Sequence, residues 1–406
     1  MLSWPSPYLP PLHLKFPSLE LRDSYTRNLH TVSDSGIYVC GITPYDATHL
    51  GHAATYITFD LIARYLIASG KSPKRTQNVT DIDDPLLERA NRDGFDWTEL
   101  STSQIQLFRD DMTSLRVIPP SHYLGVVENM DLILGYIEKL VNRGITYDID
   151  GDIYLDLSLI SGALEKLPHS LTESIEIFRT RGGDPDRAGK RHPLDTLIWM
   201  KNRVGEPYWE GRYGRGRPGW HIECVALALS SLDEGKSFSI AIQGGGNDLR
   251  FPHHYMTGVQ AFALTSREFS QAYVHTGMIG LNGEKMSKSR GNLIFVNKLL
   301  SDGVDPMAIR LALINRRYSD DFMWNDNSLD EAANFLVRLR SALSREDSAP
   351  TVPVITALTA ALSQDLDTSK ALGEIEKWCY RTESGEVGGN PGELSRAIDA
   401  LLGIAL

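Results

Sequence analysis

The string His49-Leu50-Gly51-His52 constrains this chain more than any other feature. It follows a short β-type run, Ile37-Tyr38-Val39-Cys40, and the turn-prone Thr43-Pro44-Tyr45-Asp46. From Leu50 onward apolar residues recur at Ala53, Ala54, Ile57, Leu61, Ile62, Tyr65 and Leu66. That is the period of a helix with one buried face, and Gly70 stands where a left-handed cap ends such a helix. Strand, loop and helix in this order open a nucleotide-binding α/β fold and aim a helix N-terminus at the ligand. Two imidazoles one turn apart, with a glycine between them, suit a place where backbone approaches a ligand closely.

A second string, Lys285-Met286-Ser287-Lys288-Ser289, offers two ammonium groups on a loop of small hydroxyl residues. That suits a polyphosphate gaining negative charge as it leaves. The two strings together point to ATP attacked at its α-phosphate by a carboxylate, with pyrophosphate expelled. Taken singly, each has a bland alternative: two satisfied histidines on a helix, or a solvated lysine turn.

A length of 406 residues implies two or three domains. Residues 1–35, with Pro5, Pro7, Pro10, Pro11 and Pro17, read as an irregular lead-in. Residues 36–115 and 200–300 read as two halves of a Rossmann-like domain, 116–199 as a connective insertion, and 301–406 as a region ending in helices. Ser237–Ile242 is a further strand candidate, running into Gly244-Gly245-Gly246. No apolar run approaches the ~18 residues that span a bilayer, so no membrane partner is expected. The start lacks a basic stretch followed by an apolar one, and three cysteines argue for a reducing compartment, so a cytoplasmic protein is expected. A net charge of −11 disfavours a large nucleic-acid footprint. Nothing in the pattern demands assembly, so a monomer is expected.

Cys40, Cys224 in Gly219-Trp220-His221-Ile222-Glu223-Cys224, and His253 in Phe251-Pro252-His253-His254 form a scattered set of metal-type donors. Two thiolates and an imidazole suit zinc and leave a fourth position open for an incoming thiol. Ordinary buried cysteines are the alternative, and Cys379 reads as core.

These strings, with Asn78-Val79-Thr80-Asp81-Ile82-Asp83-Asp84 and Gly245-Gly246-Asn247-Asp248-Leu249-Arg250, occur in an order that resembles the class I cysteinyl-tRNA synthetase lineage. Within it, the stretch from Ile42 to Tyr56 and the segment Arg181-Gly182-Gly183-Asp184-Pro185 more closely resemble the mycothiol cysteine ligases. Those enzymes join cysteine to the amine of glucosaminyl-inositol. Thr180 departs from the glutamate usual before that segment. Thr257 stands where the tRNA enzymes usually carry a fourth, glutamate ligand, and Tyr255 replaces another usual acid. Residues 326–406 hold thirteen Asp/Glu against seven Lys/Arg, a poor surface for binding tRNA.

The resemblance implies a class I synthetase-type α/β fold with an inserted connective region and a C-terminal helical domain. It implies one Zn2+ on Cys40, Cys224 and His253, with the cysteine substrate around Gly41, Ile42, Thr43, Asn78, Val79, Thr80 and Trp220. His49, His52, Lys285 and Lys288 would act on the triphosphate of ATP, with Mg2+ sharing its charge. Thr55 would touch the adenylate, Gly245, Gly246, Asn247 and Asp248 the ribose, and Ile279 the adenine. The expected reaction links L-cysteine to glucosaminyl-inositol through cysteinyl-adenylate; a compact cysteinyl-tRNA synthetase and a non-catalytic relative are the alternatives. Asp81, Asp83, Asp84 and residues 181–185 are candidates for binding the acceptor, with helix capping as the ordinary role of the aspartates.

Overall fold

The computed structural model describes residues 1–32, 36–286, 291–325 and 327–406, except for the side chain of Lys285. Lys288 lies outside the described residues. Five parallel strands form the central sheet: β1 (Ile37–Ile42), β2 (Arg75–Val79), β3 (His122–Gly125), β4 (Phe238–Gly246) and β5 (Glu268–Thr276). Their spatial order is β5-β4-β1-β2-β3. The chain moves from β1 to one side and later returns to the other. A crevice therefore opens between the carboxyl ends of β1 and β4, where open α/β sheets bind ligands.

Helix α1 (Leu50–Ala68) runs from that crevice across the sheet. Gly70, at φ +84°, follows its end. The sequence period predicts one buried face, yet α1 is buried almost all round from Ala53 to Leu66, including Thr58, Asp60 and Arg64. The reason is its position between the sheet and the C-terminal helices, which share one apolar core with it. Gly244 lets the helix close on β4, since a Cβ there would lie 2.2 Å from the Phe59 ring.

Between β3 and β4 an antiparallel sheet is inserted, built from Thr146–Ile149, Asp152–Leu155, Thr196–Lys201, Gly214–Pro218 and Trp209–Gly211 in that order. It packs in a second apolar core that also holds Cys40, Cys224 and Phe251. The chain ends in helices Pro306–Ile314, Asn327–Leu343, Thr351–Ser363, Thr368–Glu383 and Pro391–Leu402. None of the described helices is long and apolar enough to cross a membrane.

The C-terminal helices are fastened to α1 by a buried ionic hub. Asp60 accepts from Arg64 Nε at 2.7 Å, from Ile118 N at 2.8 Å and from Arg310 Nη2. Arg310 also donates to the carbonyls of Leu402 and Leu115, and Arg64 to those of Asp399 and Arg116. All three side chains are fully buried. Burial pushes the Asp60 carboxyl up, but the two guanidiniums outweigh it and hold the pKa below the usual range. Asp60→Ala strands two buried cations and is expected to cost about 3–5 kcal/mol. Urea unfolding measures this, and a midpoint equal to the parent's would refute the hub's role.

Candidate functional site

The crevice holds a cavity of about 830 Å³. Its floor begins at β1. Gly41 crosses so close to β2 that a Cβ would lie 1.5 Å from the Asn78 carbonyl oxygen, and its N–H donates to Asn78 Oδ1 at 2.8 Å. Asn78 Nδ2 in turn donates to Thr80 Oγ1 at 3.1 Å, so this asparagine shapes the wall with its own polar atoms engaged.

His49 caps α1: its Nδ1 accepts from the backbone N–H of Gly51 at 3.1 Å and His52 at 3.3 Å. An accepting Nδ1 places the proton on Nε2, by the logic of the hydrogen-bond network. The His49 and His52 rings stack 3.8 Å apart. Burial lowers the pKa of His49 despite Asp248 and Asp46 nearby, and lowers that of His52 further, with His49 adding to the effect. The pair is therefore neutral at pH 7 and offers N–H donors rather than cations. Thr55, one turn on, shares a 2.8 Å hydrogen bond with Thr276 at the end of β5.

The second wall is α4 (Trp220–Leu232) and the turn leading into α5 (Tyr255–Thr265). Gly219 precedes α4, where a Cβ would lie 1.9 Å from the Leu197 carbonyl oxygen. Trp220 stacks on the His253 ring at 4.1 Å. Potential ligand atoms of Cys40, His253 and His254 lie within 4.8 Å of one another, and Cys224 Sγ is 3.9 Å from Cys40 Sγ. The Cys40 hydrogen bond and then His253 draw the Cys224 pKa well down against its burial, while burial and Cys224 push Cys40 up. Soft sulfur and imidazole donors at these separations fit a zinc ion. Thr257 turns its hydroxyl onto the His254 carbonyl at 2.8 Å and is fully buried.

The sequence reading assigned no role to His254, His221, His275 or Gln243. His254 Nε2 is 3.2 Å from Cys40 Sγ and its Nδ1 is 2.7 Å from His275 Nε2. Gln243 Nε2 donates to the same sulfur at 3.3 Å, and His221 Nδ1 meets His253 Nδ1 at 2.9 Å. The adjacent histidine in Pro252-His253-His254 was the available signal; Gln243, on a strand, carried none.

Gly41, Ile42, Thr43, Thr80, Trp220, Gly246, Asp248 and Ile279 line the cavity with the two α1 histidines. Val79, Gly245 and Asn247 do not line it. Val79 pairs with Ile42 inside the sheet, and Gly245 lies against His254. Lys285 pairs through its backbone with Gly280 on the short strand Ile279–Leu281. Of the acceptor candidates, Asp81 is spent on the Val127 N–H at 2.9 Å, behind the wall. Asp83 caps helix α2 (Asp84–Asp93) through the Asp84 N–H and lines the cavity, with burial pushing its pKa up to about 6. Arg181 and Asp184 also line it, and Arg181 reaches Asp248 at 3.5 Å.

Burial holds His52 well below its usual pKa and His275 down to about 3. Lowered histidines keep the folded state from binding protons that the unfolded chain takes up below about pH 6.5. Each such histidine lowers stability by up to ~1.4 kcal/mol per pH unit as pH drops through 6.5 towards 5, while Asp83 and Asp81, whose carboxyls burial pushes up to about 6, act in the opposite sense. Urea midpoints of the parent and of His275→Gln across that range isolate the histidine: the parent should lose more stability than the variant as pH falls, and parallel profiles would refute a buried neutral imidazole there.

Residues 28–334 match the tRNA synthetases class I (C) catalytic domain. The whole chain is similar to proteins named L-cysteine:1D-myo-inositol 2-amino-2-deoxy-alpha-D-glucopyranoside ligase, at 50% identity for that of Gordonia bronchialis and 49% for that of Streptomyces griseus. Both alignments cover all of this chain and all of the relative. In fold it is similar to Mycobacterium tuberculosis methionyl-tRNA synthetase in complex with methionyl-adenylate, with TM-score 0.62 and 14% identity over 90% of this chain and 89% of that one. The Agrobacterium radiobacter K84 agnB2 LeuRS in a ternary complex also reaches 0.62, at 11% identity over 94% of this chain and 84% of that one.

Proposed function

We propose a function from one premise: the chain belongs to the family of L-cysteine:1D-myo-inositol 2-amino-2-deoxy-alpha-D-glucopyranoside ligases, on the class I (C) tRNA synthetase catalytic fold. The protein activates L-cysteine with ATP and passes the cysteinyl group to the amine of glucosaminyl-inositol, working as a cytoplasmic monomer without nucleic acid. The observation that carries this reading is the meeting of Cys40, Cys224, His253 and the His49–His52 turn on one cavity.

In the first step the cysteine carboxylate attacks the α-phosphorus of ATP, forming the mixed anhydride as the bond to pyrophosphate breaks. His49 presents Nε2–H to the phosphates from the start of α1, where the helix dipole adds to the same polarity. Lys285 and Lys288 balance the charge of the departing pyrophosphate, and Mg2+ bound with ATP would share it. Thr55, Gly246 and Asp248 hold the nucleoside end, and Ile279 meets the adenine. In the second step the neutral amine attacks the anhydride carbonyl, an amide forms and AMP leaves.

Zinc held by Cys40, Cys224 and His253 would take a thiol as its fourth ligand and lower that thiol's pKa, favouring cysteine over serine. Trp220 keeps the His253 ring in place by stacking, and the Gln243 amide, donating to Cys40 Sγ, positions that sulfur.

Release of AMP from ATP and cysteine should depend on glucosaminyl-inositol and not on tRNA. Charging of tRNA with cysteine, and no response to the amino sugar, would overturn the assignment. Metal analysis should find about one zinc per chain, lost in Cys224→Ala. Thr257→Glu puts a carboxylate beside the ligand set and should raise the KM for cysteine; an unchanged KM would count against three protein ligands.

A further inference from the structure

One group of buried polar side chains has no task in the reaction so far. Arg217, on the insertion strand Gly214–Pro218, lines the cavity with a side chain only 6% exposed. Its Nη2 is held by Asp84 and, at 3.3 Å, by Glu206. Its Nε is buried with no acceptor among the described residues. Glu223 Oε2, on α4 and also at the cavity wall, is buried and equally without a partner. Asp84 keeps a side chain 46% exposed beside the cavity. Leaving such atoms unpaired in the interior is costly. A bound hydroxylated ligand would supply what they lack.

We propose that Arg217 and Asp84 form the subsite for the cyclitol ring of the acceptor, recognising two hydroxyls on adjacent carbons. With the Nη2 hydrogens engaged by Asp84 and Glu206, Nε–H is the donor left over, and it meets one hydroxyl oxygen of the ring. A carboxylate accepts, so Asp84 takes a hydroxyl hydrogen from the same ring. Asp84 and Glu206 compensate the charge of Arg217, which suits a neutral polyol better than a phosphate. The place of Arg217 on the insertion leaves the crevice between β1 and β4 to the nucleotide and lets the amino sugar reach inward. The assignment rests on the ligase reading and adds the part of the acceptor that gives it specificity.

The test compares AMP release by the full-length protein with glucosaminyl-inositol and with methyl 2-amino-2-deoxy-α-D-glucopyranoside, which lacks the cyclitol. Arg217→Met should lower kcat/KM for glucosaminyl-inositol about tenfold or more while changing that for the methyl glycoside by less than about threefold. Arg217→Lys, which keeps the charge but loses the Nε–H, should fall between. Asp84→Asn, which preserves shape, should act in the same direction if Arg217→Met is unstable. An equal loss with both acceptors, or a raised KM for cysteine in ATP–pyrophosphate exchange, would overturn the subsite. Should the unaltered protein show no acceptor-dependent AMP release at all, the ligase reading itself would fall, and the subsite with it.

Discussion

The carboxylate of Asp60, closed between two guanidiniums inside the protein, is the interaction on which the site's geometry depends. It fixes α1 to the loop after α3 (Trp97–Ser114) through Ile118 and Leu115, and to the C-terminal helices through Arg310. Two cations on one anion leave a residual positive charge, which the carbonyls of Leu402, Leu115, Asp399 and Arg116 offset as acceptors. The same helix carries His49 and His52 at its other end. A rigid axle of this kind holds catalytic donors steady against the sheet, since a helix packed on all sides has little freedom to tilt.

The chemistry at the crevice follows from burial. Histidines brought out of water lose their proton, so α1 presents neutral N–H donors where a cation would instead bind reactant and product phosphates alike. Sulfur behaves differently. Two thiols at 3.9 Å cannot both stay ordinary: the hydrogen bond from Cys40, and then the His253 imidazole, favour the anionic form of Cys224. A metal-type donor set and a nucleotide-type helix end thus sit on one cavity because β1 delivers Cys40 and, a short loop later, the cap of α1.

Much of this was legible in the residues. The run Ile37–Cys40, the turn after it and the periodic helix from Leu50 describe local structure that sterics and hydrophobic spacing settle within one segment. Gly70 was readable as a cap for the same reason. The all-round burial of α1 was not readable, because its partners on the second side are about 250 to 340 residues away in sequence and Asp60 and Arg64 look like solvent-facing charges until Arg310 is placed against Asp60. Val79, Gly245 and Asn247 belong to recognisable strings yet lie off the cavity wall. A string does not state which of its members face inward, and strand pairing decides that.

Sequence alone determined the kinds of group available: paired imidazoles at a helix start, scattered thiols, a lysine loop, an acidic C-terminal stretch and an inserted segment of its own character. Those are local matters, governed by spacing along one chain. Tertiary structure decided which of them meet. The sheet order β5-β4-β1-β2-β3 opens the crevice, the turn after β4 brings a second histidine to Cys40, and the insertion turns Arg217 towards Asp84 across more than a hundred residues. Such meetings depend on contacts between distant segments, whose energies come from burial and pairing that no single segment contains.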